Sequence, residues 1–290
     1  MSRNVETDSF EKVAQWWAEN PMTYSDVHGE AELHGKKLES GTKEYFEELD
    51  KEFAAWNWQL HGDKLFSKIF PYERFTGKRV LEVGCGQGTM ASVWASTGAT
   101  VTAIDLNPQA IQQTKRRFEL MGYQGTVQAA DARALPFDDE HFDYAYSWGV
   151  LHHSPDLKKS VSELMRVLKP DGEFGIMLYN RKSVMQWWII QFIEGFVHYE
   201  NRFLTPLQLA SRYTDGSERE GNPHTWPVTS KEMKQMLQPF SSDTRTSILD
   251  EQLNIWHFLP PRFSRLLPRR LERSLARRFG WTLWTHGTRN

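Results

Sequence analysis

The sequence predicts an α/β fold built on a doubly wound, mainly parallel sheet. Strand and helix signals alternate through the central part of the chain, which implies a sheet covered on both faces. A loop with glycine at alternate positions joins the first of these strands to a helix. Acidic residues then close successive strands, and the carboxyl ends of strands are where such sheets bind ligands.

The first strand and its loop read VLEVGCGQGTMA, Val80 to Ala91. An apolar run ends in Glu82, and glycines follow at 84, 86 and 88. Alternate glycines let the backbone turn tightly and let a ligand lie against bare main chain. The helix behind the loop offers free N–H groups and the positive end of a dipole. A dinucleotide loop reads G-x-G-x-x-G. Here Thr89 stands at the last position of that pattern. VTAIDLNPQAI is the second strand, ending at Asp105, where a carboxylate can accept both ribose hydroxyls of a nucleoside. VQAADARALPF is the third, ending at Asp131. FDYAYSWGVLHHSPD is the fourth strand with its following loop, and VLKPDGEFGIMLYN is a helix end, a turn and the fifth strand. Gly84, Asp105, Asp131 and Ser147 all fall at strand ends in this reading.

These five segments, in this order across 77–180, resemble the class I S-adenosylmethionine-dependent methyltransferases. The likeness is to the small-molecule branch that includes ubiquinone- and menaquinone-type enzymes (methyltransferase type 11). The resemblance implies a seven-stranded Rossmann-like sheet, S-adenosyl-L-methionine as methyl donor and S-adenosyl-L-homocysteine as product. It places Glu82, Gly84, Gly86 and Gly88 at the methionine end of the donor. Asp105 with Leu106 then takes the ribose, and Asp131 with Ala132 takes the adenine amino group. Ser147 and Trp148 complete the expected cofactor set.

Four segments follow from this reading: an N-terminal helical cap (1–76), the cofactor-binding core (77–180), a substrate-cover insertion (181–227) and a C-terminal part of the core (228–290). In the cap, 10–19 and 43–70 carry apolar residues at helical spacing, among them Phe46, Leu49, Phe53 and Trp56. A polar, turn-rich stretch separates them. By resemblance these helices lie over the cofactor, which makes Trp17, Tyr24 and His28 candidate substrate contacts. The insertion opens with the apolar helix SVMQWWIIQFIEGFVHYE and continues as a Gly- and Pro-rich loop. Long loops in compact domains are functional or disordered. Trp188, Tyr213 and His224 are its candidate substrate contacts, with Tyr179 at the end of the fifth strand, and a dimer-contact helix is the rival. Thr229 or Ser230 starts a helix with Glu232 in its first turn. A strand follows near 244–249. Between Arg262 and Arg278 lie seven Arg and one Glu, with Leu267, Leu271, Leu275 and Phe279 on one face. That helix is either solvated or a weak contact for phosphate or a membrane surface. Gly280 ends it, and WTLWTHG is the last, antiparallel strand.

A chain of 290 residues is long enough for a substantial core without staples. Its net charge of −2 gives no bulk attraction to nucleic acid. The single Cys, Cys85, cannot form an internal disulfide and reads as a small filler in the loop. The N-terminus lacks a signal-peptide pattern and no apolar run reaches membrane-spanning length, so a cytoplasmic protein, monomer or homodimer, is expected. Twelve Trp and 17 Phe suit either aromatic-lined pockets or ordinary core packing.

Methyl transfer from a sulfonium needs alignment and exclusion of water rather than covalent help. A hydroxyl acceptor must also lose its proton, and His153 or His152 is the expected base. The expected reaction is methylation of a hydroxyl oxygen on a natural-product or saccharide-type metabolite. Carbon, nitrogen or sulfur acceptors, lipid-linked or phosphorylated substrates, and a non-catalytic binding protein stay open. A nicotinamide-dependent oxidoreductase is the rival on a similar sheet, and Thr89 argues against it. Adjacent His residues with Asp156, without an i, i+4 partner or a Cys cluster, predict no required metal.

Overall fold

The computed structural model describes residues 11–17, 19, 30–33, 36–215, 221–253 and 268–290, with only the backbone of 30–33, 36, 37 and 56. The first helix, α1, covers 11–17. A two-stranded antiparallel ribbon follows, β1 (Glu30–Leu33) with β2 (Lys36–Glu39). It forms inside the stretch that the sequence marks only as polar and turn-rich. Short charged strands of this kind carry little apolar alternation to betray them. Helix α2 (Lys43–Trp56) is capped by Thr42, whose hydroxyl accepts from the Tyr45 amide.

The expected helical run to 70 stops early. Asn57 ends α2, and its side-chain amide donates to the Phe53 carbonyl, the local competition that makes Asn a poor helix interior residue. Short 3₁₀ turns at Trp58–Leu60 and Tyr72–Phe75 fill the gap before the sheet.

The sheet has seven strands, as the resemblance implies. They are β3 (Arg79–Val83), β4 (Thr100–Asp105), β5 (Gly125–Ala129), β6 (Phe142–Trp148), β7 (Leu168–Tyr179), β8 (Arg245–Ile248) and β9 (Thr282–Thr288), in the order β5-β4-β3-β6-β7-β9-β8. β3 pairs in parallel with β4 and with β6, β4 pairs in parallel with β5, and β8 and β9 are antiparallel. The parallel strands are joined by α3 (Thr89–Ser96), α4 (Pro108–Met121) and α5 (Leu157–Val167). β5 ends at Ala129, so Asp131 stands two residues beyond the strand.

The described chain forms two compact units. One comprises 14–147 and 163–174, the other 1–13, 148–162 and 175–290. In the first, Trp94 of α3 is wholly buried, with its ring 4.5 Å from that of Tyr72 and 5.1 Å from that of Tyr144. Phe70, Phe75 and Tyr146 complete this aromatic core, so a large share of the rings fills space rather than lining a pocket. Tyr45, Phe46 and Leu49 of α2 are buried at the helical spacing that the sequence displays.

In the second unit a π-helix spans Met185–Val197, followed by α6 (Pro206–Tyr213) and α7 (Ser230–Leu237). α7 starts with a reciprocal capping box between Thr229 and Glu232, at the place the sequence marks. α8 (Arg269–Phe279) ends at Gly280. Its apolar stripe is only partly covered: Ala276 is buried while Leu271 is exposed, and Leu267 lies outside the described residues. Arg273 and Arg277 both reach Glu251, which neutralises part of the basic face. Arg262 and Arg265 lie outside the described residues. Among the described residues no helix is long and apolar enough to cross a membrane.

Candidate functional site

The loop after β3 builds the first candidate site, inside the unit containing 14–147. Gly84, Gly86 and Gly88 all have positive φ, the region that only glycine enters without strain. The amides of Gly84 and Cys85 donate to the Ile104 carbonyl of β4 at 2.8 and 3.0 Å. The amide of Gly86 donates to Oδ2 of Asp105 at 2.9 Å, and that of Asn107 to Oδ1 at 2.9 Å. The Asp105 carboxylate thus staples the loop, with lone pairs left over for a further donor. Burial pushes its carboxyl up, and the amides of Asn107, Gly86 and Leu106 work against that. A Cβ on Gly86 would meet nothing within 4 Å, so space lies open above bare backbone there. Gly88 instead packs against Thr114, whose hydroxyl donates to the Gly86 carbonyl at 2.8 Å.

Glu82 lies beneath this loop at 3% exposure, and its Oε2 has no hydrogen-bond partner. Burial raises its carboxyl to about 8, opposed by the Tyr146 hydroxyl and the Ala91 amide. Asp131 is half-buried, but Arg133 engages it: the Arg133 amide and guanidinium donate to it at 2.8 to 3.2 Å. Ala132 is likewise half-buried beside it. Ser147 is wholly buried and its hydroxyl donates to the Val83 carbonyl at 2.9 Å, a tie between β6 and β3 rather than a group open to a ligand.

Two elements of the cap reach this loop region. The Tyr45 hydroxyl donates to Gln87 Oε1 at 2.8 Å, and the side-chain amide of Asn107 donates to the Trp17 carbonyl at 2.6 Å. Trp17 therefore sits by the end of β4, although through its backbone. Tyr24 and His28 lie outside the described residues. Cys85 is buried with its thiol pushed well up by burial, consistent with a filler.

The second candidate site lies within the other unit. His152 and His153 sit in a 3₁₀ turn, Leu151–His153, and both are buried. His153 Nδ1 is 2.9 Å from the His224 carbonyl and 3.3 Å from Thr225 Oγ1, and its Nε2 is 3.1 Å from Asp215 Oδ2. The Tyr179 hydroxyl donates to the same carboxylate oxygen. Tyr179 stacks on Trp281, and its ring centre is 3.9 Å from that of His152. Burial, with His153 and His224 nearby, holds His152 well below the usual imidazole range. His224 is lowered too, again mainly by burial.

Of the residues that the sequence marks, His152, His153, Tyr179 and His224 come together here. Tyr213 does not join them; its hydroxyl donates to Glu200, and burial pushes it up to about 12. Trp188 is exposed on the π-helix, its ring stacked on Phe192. Trp148 packs against Trp284 at 5.9 Å. Asp156 caps α5 by accepting from the Lys159 amide, and takes no part. Asp215, which does, escapes sequence reasoning because it lies far along the chain in a polar loop.

Residues 81–176 match the family described as a methyltransferase domain. An uncharacterized protein of Mycobacterium tuberculosis is 39% identical over 104 residues, 36% of this chain and 38% of that protein. The phthiotriol/phenolphthiotriol dimycocerosates methyltransferase of Mycobacterium leprae is 32% identical over 130 residues, 44% of this chain and 47% of that enzyme. The chain thus spans well under two thirds of the length of these curated relatives. Among solved structures, a SAM-dependent methyltransferase of Methanosarcina mazei superposes with a TM-score of 0.50 at 20% identity, covering 78% of this chain and 98% of that one. A protein solved in complex with a Haloferax volcanii methyltransferase activator gives 0.52 at 16% identity, covering 82% and 92%. With the glycine loop and the seven-stranded sheet already in place, residues 81–176 are similar to a methyltransferase domain, and the sheet has the fold of the solved methyltransferases that it resembles.

Proposed function

We propose that the protein transfers the methyl group of S-adenosylmethionine to a small-molecule acceptor, at a hydroxyl oxygen of a natural-product or saccharide-type metabolite. The observation that carries this reading is the loop stapled to Asp105, with open space over Gly86 and an unpartnered buried oxygen on Glu82. These features suit a zwitterionic nucleoside: bare backbone for close approach, a carboxylate for ribose hydroxyls and an acidic group near the amino-acid end. When bound, the sulfonium supplies an electrophilic methyl carbon. Gly84, Gly86 and Gly88 would supply the turns of the loop around it, with open space over Gly86, and Asp105 with Leu106 would orient the ribose. Asp131 and Ala132 face the adenine, with Arg133 sharing the carboxylate.

A hydroxyl acceptor gives up its proton on reaction, and the group formed by His152, His153 and Asp215 is the proposed destination. Calorimetric titration with S-adenosylhomocysteine tests the donor half. Binding of one ligand per folded chain is expected. No heat from a folded chain at millimolar ligand would refute the reading.

A lipid-linked acceptor is the second reading. Trp188, Phe192 and Phe196 form an exposed ring ladder on the π-helix, and one relative is named for phthiotriol dimycocerosates. Under this reading KM falls as an acceptor's alkyl chain lengthens, and Phe196→Ala removes that gain.

A further inference from the structure

His152 is wholly buried, and neither ring nitrogen has a hydrogen-bond partner. A buried polar group left in that state costs stability, and such a residue calls for a functional explanation. Its neighbour poses a second problem. The His224 carbonyl can only accept, so His153 Nδ1 carries a proton. A neutral His153 then points the lone pair of Nε2 at a carboxylate oxygen 3.1 Å away. Two electron-rich atoms at that distance repel unless a positive charge lies between them. A second proton on His153 relieves this pair but leaves His152 unsatisfied. A metal cation relieves all three groups together.

We propose that His152, His153 and Asp215 bind one divalent first-row metal ion, with zinc as the leading candidate and one coordination position open. Their ligating atoms all lie within 4.8 Å of one another. Bonds of about 2.0–2.2 Å from a tetrahedral ion set its ligands roughly 3.3–3.6 Å apart. The 3.1 Å between His153 Nε2 and Asp215 Oδ2 is close to that edge. The ligating atom of His152 lies within 4.8 Å of both. Two imidazoles and a carboxylate suit zinc, and equally ferrous iron.

The surrounding groups are those that support a metal. A ligating imidazole normally gives its other N–H to a carbonyl or carboxylate, as His153 gives its own to His224. The Tyr179 hydroxyl holds the carboxylate of Asp215 in the same way. The expectation of no required metal rested on the want of an i, i+4 ligand or a Cys cluster beside the His pair and Asp156; Asp156 caps α5, and Asp215 supplies a third ligand from elsewhere in the chain. Metal binding stands independently of the proposed methyl transfer. A bound ion would occupy the ligating nitrogens of His152 and His153, so metal binding excludes their role as the proton acceptor.

The test is Co²⁺ titration of the chelator-treated full chain, followed by visible absorption. One Co²⁺ per chain, with the strong d–d bands of a four- or five-coordinate ion displaced by Zn²⁺, is expected. Asp215→Asn and His152→Gln each weaken binding by at least about tenfold, and Tyr179→Phe by about tenfold. A wild-type chain that stays folded by circular dichroism and yields no such bands overturns the proposal, whatever the variants do. Equally damaging are bands that persist at unchanged affinity in both ligand variants. Calorimetry with S-adenosylhomocysteine on the same samples separates the two readings. Metal without nucleoside binding removes the methyl-transfer reading alone, and the converse removes this inference alone.

Discussion

The amide of Gly86 donates to Oδ2 of Asp105 at 2.9 Å, which locks the glycine loop after β3 onto the end of β4. The other carboxylate oxygen accepts from Asn107. One side chain thus holds both the loop and the start of α4, and still keeps lone pairs for a ligand.

Asp105→Asn exposes both roles. An amide side chain offers one acceptor oxygen where two backbone amides need one each, so one N–H faces an NH₂ group. A loss of about 1–3 kcal/mol in urea unfolding is expected. Losing a charged acceptor for the ribose weakens S-adenosylhomocysteine binding by a further factor of about 10 to 100, read by calorimetry on the folded fraction. Unchanged affinity would remove Asp105 from the ligand site.

Gly88→Ala meets two obstacles. Its φ of +75° is strained for any other residue, and the new Cβ comes within 2.8 Å of Thr114 Cγ2. The conformation alone costs about 1–2 kcal/mol. Adding Thr114→Ser removes the clashing methyl and keeps the hydroxyl that donates to Gly86. The double variant should recover part of the lost Tm but not all of it. Full recovery would mean that backbone strain contributes nothing.

Arg117 is 1% exposed and donates to the carbonyls of Gln87 and Phe46, to Thr89 Oγ1 and to Asp50. It therefore joins α4 to the cap helix α2 and to the glycine loop. Arg117→Met fills much of the volume but removes the bonds to Gln87, Phe46 and Thr89 and the ion pair with Asp50, and should cost about 2–4 kcal/mol in chemical denaturation. A change below about 0.5 kcal/mol would mean that water replaces the guanidinium without penalty.

Glu82 predicts a pH dependence. Burial raises its carboxyl from 4.5 to about 8 in the folded chain. Between those values the native state holds a proton that the unfolded state releases, so stability falls as pH rises through this window and levels off above it. Glu82→Gln removes the titration. Its stability relative to wild type should therefore climb from pH 5 to pH 8, by an amount on the order of a few kcal/mol, and then stay constant. A difference that is flat across this range would show that Glu82 is ionised in the native state. Any pH-independent cost of the amide cancels in the comparison.

The glycine loop was legible because it is local. Gly84, Gly86 and Gly88 are needed for backbone conformations set within a few residues, and the end of β4 at Asp105 follows from an apolar run meeting an acid, whereas β3 runs one residue past Glu82 to Val83. The Thr229–Glu232 capping box was legible for the same reason. The β1–β2 ribbon was not, since its strands are short and charged. The early stop of α2 was hidden because apolar spacing continues past Asn57 while the backbone does not.

Sequence by itself determined the sheet, the order of the loops at its strand ends and the conformation of the glycine loop. Those properties depend on period, glycine and the residue that closes each strand, and all are written within short windows. Tertiary structure decided the partners of the buried groups. It set Arg133 on Asp131, turned Ser147 inward onto Val83, and brought Asp215 to His153. Such meetings depend on where chain segments distant in sequence are packed together, and no local pattern encodes that distance.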